Sequence, residues 1–178
     1  MSVHAISPAT VRLTTADLGT GYRLVLWAIR RWVRKVRTQH VAEHEIRQGL
    51  ACFGAEGAAP ALNDFMMCVG TGATRPIEIR CDGAISVSPD EYKVLRVVQA
   101  AAQGQTELCV SLLSDMIAPA ATRIATQHCW KLSMDLVAGM GELDQLPAPR
   151  PGMKAPVQAE RNDGKVISLF GRDKTSAA

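Results

Sequence analysis

Two histidines with a glutamate between them, His40-Val-Ala-Glu-His44, are the first residues here whose types and spacing could do chemistry. On a helix, positions i and i+4 share a face, so both imidazoles can hold one zinc ion with Glu43 as general base for hydrolysis. No third ligand is identifiable, and the pair falls on the outer side of a short helix. The expectation is therefore two solvated histidines and no metal. His128-Cys129 sets a base beside a thiol, but neighbours on a helix point about 100° apart. A core histidine bonded to a backbone carbonyl is expected instead. Cysteines 52, 68, 81, 109 and 129 contain no Cys-x-x-Cys pair, which gives zinc no support. They read as reduced thiols, mostly small core residues. With no G-x-S-x-G, phosphate loop or dinucleotide fingerprint, the expectation is a chain that is not an enzyme and needs no cofactor.

A different kind of site is suggested by Tyr22-Arg-Leu-Val-Leu-Trp-Ala-Ile-Arg-Arg-Trp-Val-Arg-Lys-Val-Arg37. At helical spacing Leu18, Tyr22, Val25, Ile29, Trp32 and Val36 form one apolar stripe. Arg23, Arg30, Arg34 and Arg37 fall opposite, with Trp27 among them. The stripe is core and the arginines are its solvated back. Trp27 is either stacked under guanidinium groups or covered by something else. Arg23, Trp27, Arg30 and Arg34 are thus the candidate partner-binding face.

Charge points the same way. Of the 20 basic and 17 acidic residues, seven basic and one acidic lie in residues 1–40, against seven and eleven in 41–141. The excess basic charge sits in the first helix, so the domain is not the basic body of a typical nucleic-acid binder. No run approaches the roughly 18 apolar residues of a membrane span. The first twenty residues lack a signal-peptide layout, so a cytoplasmic location and no membrane partner are expected.

The elements that must position these residues read as helices. Aromatics are only 4% of the chain, and Ala, Leu and Met carry the apolar load. Residues 1–15 read as a flexible lead-in, with Thr14-Thr15 as caps. Ile46, Leu50 and Phe53 mark a second helix stopped by Gly54. Leu62, Phe65, Met66 and Val69 mark a third. Pro76-Ile-Glu-Ile-Arg80 alternates like a strand, but with no second strand evident it reads as an extended crossover with at most a tiny hairpin. Ser88-Pro-Asp-Glu91 is a capping box with proline at the first helical position, which fixes a helix start. Leu108, Leu112, Leu113 and Met116 mark a fifth helix, ended at Ala118-Pro119. In a sixth, Ile124, Ala125, Cys129, Leu132 and Leu136 point inward. The expected fold is all-α, a single compact bundle of five to six helices over residues 16–141, with a disordered tail over 142–178.

Arg23-Leu-Val-Leu-Trp-Ala-Ile-Arg-Arg-Trp-Val33, Arg75-Pro-Ile, Ser88-Pro-Asp-Glu91 with Val94-Leu95, and Ala100-Ala-Ala-Gln-Gly104 together resemble a group of small bacterial helical proteins without assigned activity. The resemblance covers about two-thirds of the chain and implies one compact helical domain. Residues 88–136 also resemble the helix-turn-helix of LuxR-type regulators. There, extra residues precede Gly104, and only Arg123 and Lys131 could meet phosphates. Residues 88–141 hold four basic and five acidic side chains, so a DNA-binding regulator is the alternative to a non-catalytic interaction or regulatory module.

In the tail, Val166-Ile-Ser-Leu-Phe170 is an apolar island of the kind used as a docking peptide. It resembles the bacterial sliding-clamp-binding pentapeptide, a Gln followed by a Leu-Ser/Asp-Leu-Phe core. Ser168, Leu169 and Phe170 match, Ile167 substitutes conservatively, and Val166 departs at the leading Gln. The resemblance implies a clamp-like partner bound through Ile167, Leu169 and Phe170. The alternative is a segment that folds back on the protein's own surface. Ser176-Ala-Ala178 resembles a small-residue degron.

Overall fold

The computed structural model describes residues 13–38 and 43–148. Six helices carry the fold: α1 (Thr20–Thr38), α2 (Glu43–Ala51), α3 (Ala58–Gly72), α4 (Pro89–Ala102), α5 (Thr106–Ser114) and α6 (Pro119–Met140). Two short strands, β1 (Leu13–Thr14) and β2 (Ser86–Val87), pair antiparallel with Leu13 opposite Val87. The all-α reading holds. The partner for β2 comes from the lead-in, so Leu13 is buried and the folded part begins before residue 16. Thr14 caps a 3-10 turn at Thr15–Asp17 rather than α1 itself.

α1 is buried around most of its circumference. The stripe Leu18, Tyr22, Val25, Ile29 and Trp32 is buried, with Val36 packed beside it, and Leu24, Leu26, Ala28 and Val33 are buried too. Amphipathic periodicity gives one face of a helix, whereas a helix packed on several sides buries most of its circumference. α3 and α6 form the broadest pairing. It closes where Gly72 meets Ala121, with no room for a Cβ between them.

The capping box at the start of α4 does more than end a helix. Ser88 Oγ accepts from the Glu91 N–H at 3.0 Å, and Glu91 Oε2 accepts from the Ser88 N–H at 2.8 Å. The same side chains satisfy the extended segment 76–80, whose alternation the sequence displays. The Glu78 N–H donates to Asp90 Oδ2 at 2.8 Å, and the Arg80 N–H donates to Glu91 Oε1 at 2.9 Å. Ser88 Oγ–H donates to the Glu78 carbonyl. Carboxylates and a hydroxyl thus replace a neighbouring strand, which lets Ile77 and Ile79 insert fully into the core without a ladder.

Two inward assignments and one boundary are corrected. Phe53 lies beyond the end of α2 and is 42% exposed, because the chain turns away at Gly54, whose φ of +73° an ordinary residue adopts only with strain. Ile124 is half exposed, on the flank of the inward stripe of α6. Residues 142–148 belong to the packed domain rather than the tail. Leu143 and Leu146 are buried, Tyr92 Oη donates to the Pro147 carbonyl at 3.1 Å, and Gln99 meets Gln145 at 3.2 Å.

Candidate interaction surfaces

The Arg/Trp face of α1 divides residue by residue. Arg30 is only 3% exposed and leaves the candidate face. Its Nε and Nη2 hold both oxygens of Glu91, at 2.8 and 3.0 Å, and its remaining donors reach the Ala84 and Ser86 carbonyls at 2.6 and 2.8 Å. Glu91 has no solvent exposure and four hydrogen bonds: two to Arg30 and two to backbone N–H groups. A guanidinium is buried only when its fork is matched in this way. The segment 82–88 wraps over what periodicity marked as the solvated back.

Trp27 is half-buried, and both readings of it are realised. The Arg31 guanidinium lies 5.8 Å from the ring centroid, and the ring packs against Gly49 of α2 where a Cβ would collide with it. Arg34 is exposed and shares Asp82 with Arg31, each at 3.1 Å. Arg23 is exposed, 3.3 Å from the Thr20 hydroxyl. The four predicted residues therefore form no continuous surface: two remain open, one is half covered and one is core.

The outer face of α6 is the surface the sequence reading missed. Trp130 is 55% exposed, with Met134 one turn on and Ile124 on the adjoining flank. Arg123, Gln127 and Lys131 share the exposed side, and Lys131 pairs with Asp135 at 3.0 Å. The inward stripe of α6 is Ala125, Cys129, Leu132 and Leu136, and Trp130 and Met134 lie off it. Large apolar residues off a helix's own stripe are the signal that could have found this face.

Along the α3–α6 seam, His128 is half-buried rather than core, with Nδ1 3.8 Å from Asp64 Oδ2. Burial and then the Asp64 charge push the Cys68 thiol up, away from the thiolate a nucleophile requires. Burial does the same to Cys109 and, more strongly, to Cys129. These thiols are packing groups. Among the described residues no cluster of three His, Cys, Asp or Glu could hold a metal ion. His44 is exposed on α2, and His40 and the Arg37 side chain lie outside the described residues.

A cleft of about 340 Å³ opens where the start of α1 meets the end of α6, lined by Thr20, Gly21, Phe53, Gly139, Met140, Glu142, Leu143 and Asp144. Gly139 lets the Gly54 carbonyl approach, with no room for a Cβ, and Gly141 (φ +80°) turns the chain out of α6. Burial and the neighbouring Asp144 push Tyr22 up to about 12, against a smaller opposing effect of Arg96.

The tail residues Ile167, Leu169 and Phe170 lie outside the described residues. No helix among the described residues is long and apolar enough to cross a membrane. Comparison with family models, curated proteins and solved structures finds no match for this chain.

Proposed function

We propose that the chain is a non-catalytic protein-interaction module that binds through the outer face of α6, with the Val166–Phe170 motif as a second contact. The observation carrying this reading is Trp130, half exposed beside Met134 and Arg123 on a helix whose opposite side is fully packed. Trp, Met and Arg are the residue types concentrated at the centres of interfaces. Arg123 has no ion-pair partner among the described residues, so the matching surface is a protein patch with an apolar centre and an acidic rim. Arg23 and Arg34 could steer such a partner without forming its anchor. For the tail motif, a clamp-like groove is the partner class its resemblance supports.

The test is a titration of the full chain against the partner it captures, once that partner is purified. Trp130→Ala should weaken binding by about thirtyfold, the effect of losing a hot spot worth about 2 kcal/mol, with melting unchanged. Unchanged affinity would remove α6 from the interface.

Arg123, Gln127 and Lys131 on one exposed helix face also support the alternative, a DNA-binding regulator. Duplex binding that falls steeply with salt and is lost on Arg123→Glu would favour it over a protein partner.

A further inference from the structure

We propose that the cleft between the start of α1 and the end of α6 is the docking site of the chain's own Ile167-Ser-Leu-Phe170 segment, a contact that competes with any outside partner for the same side chains. It goes beyond the binding-module reading and does not depend on α6 having a partner.

The cleft combines apolar and polar lining in about equal measure, and two carboxylates stand at its mouth. Phe53 and Met140 supply the open apolar surface, with the buried Leu143 behind them, and Phe53 is 42% exposed although it stands beside the core. Gly21 carries no side chain, so Leu143 lies against the backbone of α1, where a Cβ would come within 2.8 Å of it. A volume of about 340 Å³ is at the small end of the roughly 300–1,000 Å³ of binding pockets, suited to two or three side chains.

Glu142 and Asp144 stand at the mouth, and neither joins an ion pair among the described residues. The last turn of α6 holds no basic residue, so its free carbonyls add negative potential beside Glu142. Asp144 lies against Gly19 at the start of α1, where first-turn N–H groups favour a carboxylate. Glu142 has no comparable support. The mouth therefore selects an apolar segment carrying cations.

The chain contains such a segment. Residues 165–172, Lys-Val-Ile-Ser-Leu-Phe-Gly-Arg, set three large apolar side chains between Lys165 and Arg172 with no acidic residue among them. Alternate positions of an extended peptide share a face, so Ile167 and Leu169 enter together, and Gly171 lets Phe170 turn in behind them.

The tether makes this occupant hard to displace. Ala148 is four residues past Asp144, so it lies at most about 15 Å from the cleft, while the nineteen steps from Ala148 to Ile167 can span about 60 Å. A tether of this length gives an effective concentration in the millimolar range. An intrinsic Kd of about 0.1 mM then keeps the cleft about nine-tenths filled, whereas a separate partner at micromolar concentration must bind far more tightly.

Amide NMR spectra of the full chain test this at two protein concentrations. Phe170→Ala should shift the Gly21, Gly139 and Gly141 amides, leave Gly104 unmoved, and do so equally at both concentrations. Glu142→Lys, which reverses the mouth without touching the tail, should move the same three glycines in the same direction. Cleft amides that ignore Phe170→Ala would overturn the proposal. Shifts that disappear on dilution would also overturn it, since the occupant would then be a second copy.

Discussion

Two helices of this chain set tryptophan among basic residues, and the fold treats them oppositely. On α1, Trp27 lies under Arg31 and against Gly49 of α2, and Arg30 is sealed in with Glu91. On α6, Trp130, Arg123 and Met134 face outward with nothing among the described residues packed over them. Composition is nearly the same in the two places; the difference is topology. α1 receives α2 on one side and the segment 82–88 on another. α6 carries the broadest packing in the fold, against α3, α4 and α5, yet nothing among the described residues crosses its other side. An Arg/Trp face is therefore a surface only where no other element must cross it.

The largest effect should come from the buried pair. Glu91→Ala strands Arg30 without a counter-ion and removes the acceptor for two backbone N–H groups. A loss of about 3–5 kcal/mol is expected from urea unfolding. A cost below about 1 kcal/mol would mean that Arg30 escapes to solvent and that the α1 face resembles that of α6 after all. Trp27→Ala should come next, at about 2–3 kcal/mol, below the full cost for a buried aromatic because the ring is only half covered. Equal costs for Trp27→Ala and Trp130→Ala would erase the contrast.

Much of this was legible in the sequence, and the limits have physical causes. The helix start at Ser88, the break at Ala118-Pro119, the stripes of α1 and α3 and the alternation of residues 76–80 are local signals, and local geometry honours them. The burial of Arg30 is not legible locally, because its partner is 61 residues away and nothing in the α1 pattern announces it. Leu13 pairs with Val87 across a comparable separation, so no local signal announces either strand. Periodicity in the sixth helix reports its inward stripe, to which it assigns Ile124, and is silent about the Trp130 face. Pro147 and the prolines after it suggested disorder from residue 142, while Leu143 and Leu146 still had core to reach.

A smaller effect sharpens the comparison through pH. Burial raises the Asp90 carboxyl, but the Arg75 guanidinium at 2.6 Å, the Glu78 N–H and the Arg75 and Lys93 charges outweigh it and hold the group below the ordinary carboxylate range. Its folded pKa is depressed, so its contribution is fully present above the unfolded value of about 4 and is lost as pH falls through the folded value. Asp90→Asn should cost about 1 kcal/mol at pH 7, a figure kept small by the exposure of Arg75 to solvent. The variant should also lose less stability than the parent on acidification below about pH 4. Parallel pH profiles would show that the start of α4 is held by Glu91 alone.

The smallest stability effect should be at Trp130, and its smallness is the point. Removing a ring that is more than half exposed deletes few packed contacts, so Trp130→Ala should change unfolding free energy by no more than about 0.5 kcal/mol. Fluorescence separates this from a trivial surface substitution without any partner in hand. Trp32 is buried and donates its indole N–H to Asn63 Oδ1 at 3.1 Å, and Trp27 is half covered, so acrylamide should quench mainly Trp130. Deleting Trp130 should therefore remove most of the quenchable emission, and deleting Trp27 should leave it. Full-chain protein whose Trp130 resists quenching, and whose Trp130→Ala variant unfolds more than about 1 kcal/mol more easily, would show that part of the chain beyond residue 148 covers α6. The exposed face would then be an internal contact, and the interaction reading would have to rest on the tail alone.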